Sequence, residues 1–384
     1  MRIEVWIKNI GNRFSMEESM KKENKVSKYH YWLAGLIGIS ATDKIRLTKE
    51  ATEEELYHMS ELELLQLCEF HGVESGVLLE SRRNKKTPDQ IKKEVEDAGV
   101  FLTTYHGKEY PRKLRNINQA PYALYYKGHL PGDEIAVAIV GSRKCSEYGR
   151  SVTENLSQRL AEEGVSVISG MAYGIDSAGH VGALRCDGKT YGVLGCGVDV
   201  CYPPQSKQLY EKISQSEGGI LSEYAPGTQP LPMFFPQRNR IISGLSDIVV
   251  VMEAKLRSGS LITADFAMEQ GREVYALPGR ITDKNSQGTN RLIYQGAGIL
   301  EDIEQFLIDT NLRSTQKVNL KKENKFVLEK EEALLYSVFD FDPKYLDTII
   351  EETGLPITQV LSVLESLKRK KLVKEIYKNY FCRT

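Results

Sequence analysis

Small and cationic residues stand where an apolar run of the sequence ends. Gly141 closes the run IAVAIVG, and Ser142 and Arg143 follow it, shortly before a segment with helical spacing. Glycine lets a ligand approach the backbone, a helix N-terminus presents free N–H groups, and arginine offers a forked positive charge. The tripeptide therefore predicts a loop that binds a phosphate group.

Two further segments have residues that can bind an anion, and a third combines aromatic residues with arginines. After DIVVVMEA, Ser258, Gly259 and Ser260 lead into a helical segment whose N-terminus can bind an anion. Lys207 is the cation nearest to the Gly-rich turn GCGVDVCYPP. The stretch FFPQRNR places an aromatic pair and two arginines in a predicted loop before the run DIVVVME, with no catalytic base beside them.

Residues for catalysis or metal binding are not assembled in the same way. Asp176 is placed to cap a helix, and no serine or cysteine pairs evidently with His180 as a nucleophile. Cys196 and Cys201 offer too few ligands for a metal. The Gly-x-Gly-x-x-Gly and Walker A motifs are both missing, so we expect neither a nicotinamide cofactor nor ATP hydrolysis. This balance favours binding over chemistry, and we predict no enzyme, no metal site and no cofactor.

A sheet is needed to position these loops. From Ile135 the chain alternates short apolar runs with helical segments such as SEYGRSVTENLSQRLAEEG and ITADFAMEQG. The runs are IAVAIVG, VSVISG, TYGVLG, DIVVVME and EVYALPG. Such runs suit strands buried on both faces, and the helical segments suit parallel crossovers. We predict an open, mostly parallel α/β sheet that binds its ligand at the carboxyl ends of the strands.

Composition and pattern divide the chain into five segments. Apolar spacings of three and four predict helices in the second segment, where LAGLIGIS faintly resembles the turn of a helix-hairpin-helix module. A charged stretch later separates the sheet from helices and a hairpin in winged-helix order. The predicted segments are a polar extension 1–27, a small helical domain 28–128 (SAM-like or helix-hairpin-helix-like), an α/β domain 129–308, a linker 309–326 and a winged-helix-like domain 327–384.

Length and composition indicate a soluble protein of two or three domains. The 384 residues are 41% hydrophobic and 27% charged, and no apolar run reaches the roughly 18 residues of a membrane helix. We recognise no secretory signal in MRIEVWIKNIGNRF, so we expect a cytoplasmic protein with reduced cysteines and no membrane contact. The net charge of −1 argues against a globally basic coat, which confines any nucleic-acid contact to a local patch.

Several long motifs, in order along the chain, resemble those of the bacterial DNA processing protein A family (DprA/Smf). They are AIVGSRKCSEYGR, VISGMAYGIDSAGH, GVLGCGVDVCYPP, LSEYAPGTQP, FPQRNRIISGLS, RSGSLITADFAMEQGREVYALPG and GTNRLIYQGA. The resemblance covers roughly residues 100–300. It implies an extended Rossmann-like central domain between the helical and winged-helix-like domains.

The family resemblance implies a protein without a known enzymatic step. Such a protein binds single-stranded DNA without sequence preference and helps to load the RecA recombinase onto it during natural transformation. It also implies a homodimer, with Asn290, Ile293 and Ile299 at the interface, although the two isoleucines are equally well explained as core residues.

The resemblance also assigns roles to individual residues. Gly141, Ser142 and Arg143 would grip the DNA backbone, and Phe235 would stack on a base. Arg238, Asn239 and Arg240 join the predicted contacts, with the two arginines also expected to pin their loop to the sheet edge.

The chain departs from the family pattern at two positions. Pro232 and Pro204 stand where many or some members carry a lysine, so fewer cationic contacts are expected.

Two alternatives from other functional classes remain. Ser258 to Thr263 with Glu269 loosely resembles a degraded loop of nucleotide phosphoribohydrolases, which would make the protein an enzyme. The basic C-terminal end fits a winged-helix regulator that binds duplex DNA.

Overall fold

The computed structural model describes residues 26–83, 86–313 and 328–383, so most of the predicted extension and linker lies outside the described residues. Helices fill the chain from Lys28 to Asp97. Several of them begin at a serine or threonine whose hydroxyl accepts a backbone N–H of the first turn. They are α1 (Lys28–Gly35), α2 (Ala41–Glu50), α3 (Glu53–His58), α4 (Glu61–His71), α5 (Gly76–Arg82) and α6 (Pro88–Asp97).

A nine-stranded sheet forms the centre of the molecule. Its strands are β1 (Phe101–Thr104), β2 (Ala123–Gly128), β3 (Ala136–Gly141), β4 (Ser166–Ser169), β5 (Thr190–Val193), β6 (Gly219–Ser222), β7 (Ile248–Glu253), β8 (Glu273–Ala276) and β9 (Gly298–Ile299). Their order is β1-β2-β6-β5-β4-β3-β7-β8-β9, and the strands from β3 onward run parallel. The mostly parallel α/β prediction is therefore confirmed, and the strand order reverses between β3 and β7.

Helices lie between the strands and after the last of them, and they cover the sheet. They are α7 (Arg112–Arg115), α8 (Glu147–Glu162), α9 (Ile175–Leu184), α10 (Lys207–Ser214), α11 (Phe234–Leu245), α12 (Gly259–Glu269), α13 (Gln287–Tyr294) and α14 (Ile303–Asp309). The two predicted crossover helices are α8 and α12. Consecutive residues of β3 enter separate cores, Val137 and Ile139 on one face and Ala138 and Val140 on the other.

The prediction of an all-helical segment as far as residue 128 is wrong for its last part. β1 and β2 form an antiparallel pair that joins the sheet at β6. Their sequences, FLTT and ALYYKG, are rich in the β-branched and aromatic residues that strands favour. The N-terminal helices share one core with this side of the sheet, because Trp32 and Leu47 cluster with Tyr125 and Ile220.

The last described range holds three helices and a three-stranded antiparallel sheet. Its elements are α15 (Lys330–Ser337), β10 (Lys344–Tyr345), α16 (Leu346–Thr353), α17 (Ile357–Arg369), β11 (Val373–Tyr377) and β12 (Tyr380–Arg383). Asp342 in this range accepts a 2.5 Å bond from Arg280, and Lys374 forms an ion pair with Glu147. None of the helices in the described ranges has the length and apolarity needed to cross a membrane.

Candidate functional site

The loop after β3 lies against the loop after β4. The backbone N–H of Ile175 donates to the Ser142 carbonyl at 3.2 Å. Gly174 has a φ of +77°, and a Cβ at this position would lie 2.3 Å from the Ser142 oxygen. A Cβ on Gly141 would lie 2.7 Å from the Ile175 side chain. The two glycines therefore allow a contact between loops that no larger residue permits.

Arg143 and Phe235 come together at the carboxyl ends of the strands. Arg143 is exposed, and its guanidinium carbon lies 5.6 Å from the centre of the Phe235 ring. The Tyr202 ring is 5.4 Å from the same ring. A Cβ on Gly195 would approach the Phe235 ring to 3.1 Å, so this ring lies on the loop after β5. A positive charge and an aromatic surface thus share one patch, which is the combination that binds phosphate and base.

The predicted loop FFPQRNR is instead the start of a helix, α11. Pro236 is compatible with this position because the first N–H groups of a helix have no partner within the helix. Phe234 and Phe235 therefore stand in the first turn of α11, where the Phe234 N–H already donates to the Leu231 carbonyl at 3.0 Å.

Arg238 lies in the interior, which contradicts its predicted contact with a ligand. Only 4% of its surface is exposed. Its Nη1 donates to the Gly170 carbonyl at 2.8 Å and also to the Val193 carbonyl. Burial lowers the pKa of Arg238 to about 10. The side chain thus ties α11 to the ends of β4 and β5, so of its two predicted roles only the pinning role fits this geometry.

Arg240 is also interior, and its charge is already neutralised. Its Nη atoms bond the Glu223 carboxylate at 2.8 and 2.6 Å, and its Nε donates to the Gln119 carbonyl at 2.8 Å. A buried arginine that is paired in this way has no donor directed at a solvent-side phosphate. The predicted phosphate contact of Arg240 is therefore corrected to a structural ion pair.

Asn239 connects α11 to the loop after β7. Its side-chain amide donates to the Gly259 carbonyl at 3.2 Å. Ser258 caps α12, and its hydroxyl lies 2.8 Å from that of Ser260, which is buried. Gly259 is exposed, with no atom within 4 Å of the Cβ it lacks. Of the Ser-Gly-Ser sequence, the Gly259 backbone is thus the most open to a ligand.

Lys207 and Glu269 are two further residues that the sequence singled out. Lys207 is exposed at the start of α10, with its ammonium 3.9 Å from Glu211. Glu269, which the enzyme alternative places downstream of Ser258 to Thr263, is at the opposite end of α12, about 15 Å along the helix axis at 1.5 Å per residue. The loop and the carboxylate of that alternative are therefore separated.

Sequence analysis missed the tyrosines around the patch. Tyr202 contacts Phe235, Tyr224 stacks on Phe234 with ring centres 4.2 Å apart, and Tyr173 is 41% exposed. Tyr173 and Tyr202 lie in loops that follow predicted strands, whereas Tyr224 follows β6, which was not among the predicted runs. A search for aromatic as well as cationic residues after the predicted strands would have found the first two.

The acid and base groups near the site are buried. Asp176 accepts the Ala172 N–H at 3.2 Å, and burial raises the pKa of its carboxyl. His180 Nδ1 lies 2.7 Å from the Thr190 hydroxyl, which itself donates to the Val167 carbonyl. Neither group faces the Arg143 patch from an exposed position. Within the described ranges, no group of three or more His, Cys, Asp or Glu side chains could hold a metal ion.

The three predicted interface residues differ in availability. Asn290 bonds the Gly279 N–H at 3.2 Å and the Gly279 carbonyl at 2.9 Å, so it holds a turn of its own chain. Ile293 is half-buried against the core. Ile299 is 49% exposed on β9, the last strand of the sheet.

Comparison with known proteins places these features in one family. A family model described as DNA recombination-mediator protein A matches residues 101–311. The DNA processing protein DprA of Streptococcus pneumoniae is 48% identical over 201 residues, which are 52% of this chain and 71% of the relative. Protein Smf of Escherichia coli is 36% identical over 281 residues, which are 71% of this chain and 75% of that protein.

Two solved structures are similar to this chain. The X-ray structure of DprA from S. pneumoniae has a TM-score of 0.65 at 36% identity, covering 74% of this chain and 98% of that one. DNA processing protein A from Helicobacter pylori, whose structure concerns its single-stranded DNA binding mode, has a TM-score of 0.50 at 29% identity. That match covers 55% of this chain and 95% of the H. pylori chain.

Proposed function

The chain belongs to the DNA recombination-mediator protein A family, and from this premise we propose that it binds single-stranded DNA at the carboxyl ends of its parallel strands. The observation that carries the proposal is the exposed Arg143 guanidinium 5.6 Å from the Phe235 ring. A relative from H. pylori binds single-stranded DNA, which supports the same ligand here.

The proposed mechanism needs no bond to be made or broken. Arg143 holds a phosphate together with backbone N–H groups of the loop after β3 and of Gly259, and a base stacks on Phe235. Neither contact distinguishes one base edge from another, so binding has no sequence preference. Arg238 and Arg240 support the platform from beneath, and Lys207 adds a long-range attraction for phosphates.

We extend the proposal to the biological role that the family suggests. The protein acts in the cytoplasm as a homodimer, loads the RecA recombinase onto single-stranded DNA in natural transformation, and catalyses no reaction. Two linked sites on one dimer raise the effective concentration of the second contact, which offsets the lysines replaced by Pro204 and Pro232.

The domain division is part of the same proposal. Residues 129–308 with β1 and β2 form the extended Rossmann-like DNA-binding domain, and residues 327–384 form a winged-helix-like domain. The order of helices and hairpin from α15 to β12 supports the latter.

The direct test compares Arg143→Ala and Phe235→Ala with wild type by fluorescence anisotropy on oligo-dT. Loss of stacking in Phe235→Ala is expected to cost about 1–3 kcal/mol of binding free energy. Loss of Arg143 should reduce the slope of log affinity against log salt by about 0.7, the value for one phosphate on a single strand. Exposed Arg112, which pairs with Asp133 near the amino ends of the strands, provides the control Arg112→Ala.

Wild-type affinity in both site variants would contradict the proposal. The recombinase role has its own test, the rate of RecA filament formation on single-stranded DNA coated with single-strand binding protein. No acceleration by wild-type protein would remove that role and leave DNA binding intact.

A further inference from the structure

A cavity of about 440 Å³ separates the N-terminal helices from the first turn of α11. This volume is within the range of about 300–1,000 Å³ found for small-ligand sites. Phe234 lines the cavity, whereas its neighbour Phe235 belongs to the Arg143 patch. The opposite wall is the turn from Leu36 to Thr42 between α1 and α2.

One wall of the cavity is aromatic. Phe234 and Tyr224 stack with ring centres 4.2 Å apart and planes 28° apart, and both are half-buried. Ile37, on the facing turn, has 80% of its surface exposed. The exposed Ile37 side chain and the Phe234–Tyr224 pair are two apolar surfaces of the same cavity, and a flat ring can bind between them.

The cations of the cavity are already bonded to protein groups. The Lys44 ammonium donates to the Ala34 carbonyl at 3.1 Å and to the Leu36 carbonyl at 2.7 Å, and Arg240 is paired with Glu223. Burial lowers the pKa of Lys44 to about 8, so this charge is costly even with its two carbonyl partners. The cavity therefore suits an uncharged ring better than a phosphate.

Two amide side chains can contact the edge of such a ring. Gln119 and Gln237 both line the cavity, and an amide can donate and accept, as the edges of nucleobases do. Gln237 Oε1 already accepts from the Tyr224 hydroxyl at 3.2 Å, so its Nε2 is the group that can donate to a base. Gln119 has a φ of +54°, a conformation that is uncommon for a residue other than glycine. The bond from Arg240 Nε to its carbonyl holds it there.

We propose that this cavity binds a second base of the DNA strand, beside the base that stacks on Phe235. The two rings belong to consecutive residues, whose Cα atoms are about 3.8 Å apart, so one strand can reach both sites. The walls are fixed relative to each other because α1 and α2 share a core with β6. This inference rests on the proposed binding of single-stranded DNA.

Photocrosslinking on the wild-type protein tests the inference without any substitution. Oligo-dT with 5-iodouracil at successive positions is irradiated in complex with the full chain, and adducts are mapped by mass spectrometry. Adducts on Tyr224 or Phe234, in addition to those on Phe235 or Tyr202, are the expected result. Adducts confined to Phe235 and Tyr202 would overturn the second site while preserving the first.

A filled cavity provides the affinity test. Thr42→Trp places a large ring in the cavity wall and should weaken binding of oligo-dT about five-fold or more, since one stacked base contributes at least about that much. Leu62→Trp, on the exposed face of α4, is the matched control and should bind as wild type. Thermal melting establishes that both variants fold. Unchanged affinity of a folded Thr42→Trp variant contradicts the inference, whereas failure of the wild type to bind oligo-dT contradicts the proposed function itself.

Discussion

Two buried arginines support the site without contacting solvent. Arg238 and Arg240 are 4% and 6% exposed, and their donors are directed at carbonyls and at Glu223. A buried guanidinium is stable only when its hydrogen bonds are made within the protein. In the proposed site, Arg143 is consequently the arginine exposed to a ligand, and Arg238 and Arg240 fix the helix that carries Phe235.

His180 is also buried, and it should make the stability of the protein depend on pH. The Thr190 hydroxyl donates to Val167, so it accepts from His180 Nδ1, which therefore carries the proton of a neutral ring. Burial, and to a smaller extent the charge of Arg238, lowers the pKa of His180 to about 3. In the unfolded chain the imidazole of His180 is protonated near pH 6.5, whereas in the folded protein it stays neutral down to about pH 3. The free energy of unfolding therefore decreases as the pH falls from 6.5 to 3.

We expect the contribution of His180 to reduce the free energy of unfolding by about 2 kcal/mol between pH 7 and pH 5. Urea denaturation at the two pH values measures it. His180→Gln should be less stable at pH 7 but should lose about 2 kcal/mol less on acidification than the wild type. The same change at exposed His129 is the control. An equal acid loss in wild type and His180→Gln would show that another group is responsible.

At this scale the sequence located the exposed Arg143 better than the buried arginines of α11. Gly141 to Arg143 were identified because they follow an apolar run, and their neighbour Phe235 was assigned by family resemblance. The sequence also contains a pattern that predicts the burial of Arg238. In a helix, one face would carry Arg238 together with the apolar residues three, four and seven positions later, Ile241, Ile242 and Leu245. We did not predict this helix because Pro236 indicated a loop.

The loops after β3 and β4 form a single structural element at the site. Gly174 permits this, since a Cβ there would lie 2.3 Å from the Ser142 carbonyl and 2.7 Å from that of Arg143. Any side chain at this position must displace the loop that carries Arg143. The conformation of the phosphate loop therefore depends on a residue of the neighbouring strand's loop.

Gly174→Ala should weaken binding of oligo-dT as much as Arg143→Ala does, because the displaced loop no longer presents the guanidinium beside Phe235. It should also lose about 1–3 kcal/mol of stability from the positive φ of +77°. Gly164→Ala is the matched control, with a φ of +78° but open space around it. Both variants should be destabilised in urea, and only Gly174→Ala should lose affinity in anisotropy. Equal affinities of the two variants would show that the contact between the loops is dispensable.

Elements whose partners lie far away in sequence were the hardest to predict. β3, β4, β5, β7 and β8 were recognisable as apolar runs because both of their faces are covered by helices. β1 is only four residues long, and its first residue, Phe101, is 58% exposed, so it has no such run. Its place in the sheet comes from pairing with β2, which in turn pairs with the distant β6. A local pattern contains no information about that pairing.

Contacts between the C-terminal elements and the sheet concentrate near the phosphate loop. Glu147, which pairs with Lys374, begins α8 directly after that loop. The next residue, Tyr148, has its ring centre 5.7 Å from that of Phe341, and Arg280 bonds Asp342. These contacts between described residues place the elements from α15 to β12 beside the start of α8, next to the site that we propose for DNA.

At the scale of the whole molecule, an exposed apolar surface near β9 favours the proposed dimer. Tyr294, four residues before β9, is 91% exposed, and Ile299 is 49% exposed on a strand that pairs only with β8 within the described part of the chain. An unpaired edge with apolar side chains around it is a common surface for association. Asn290, which is bonded to Gly279, contributes by shaping the turn.

Ile299→Glu should convert the dimer to a monomer, because the new charge would be buried without a partner in a symmetric interface. Light scattering measures the mass. Oligo-dT long enough to span two sites should then bind more weakly, whereas a short oligonucleotide should bind with unchanged affinity, since only the linked second contact is lost. Leu62→Glu places the same charge on an exposed leucine of α4 and should alter neither mass nor affinity. If the wild-type protein is already a monomer, the proposed dimer is contradicted. If Ile299→Glu weakens binding of short and long oligonucleotides equally, Ile299 acts on the DNA site itself and not through a second copy.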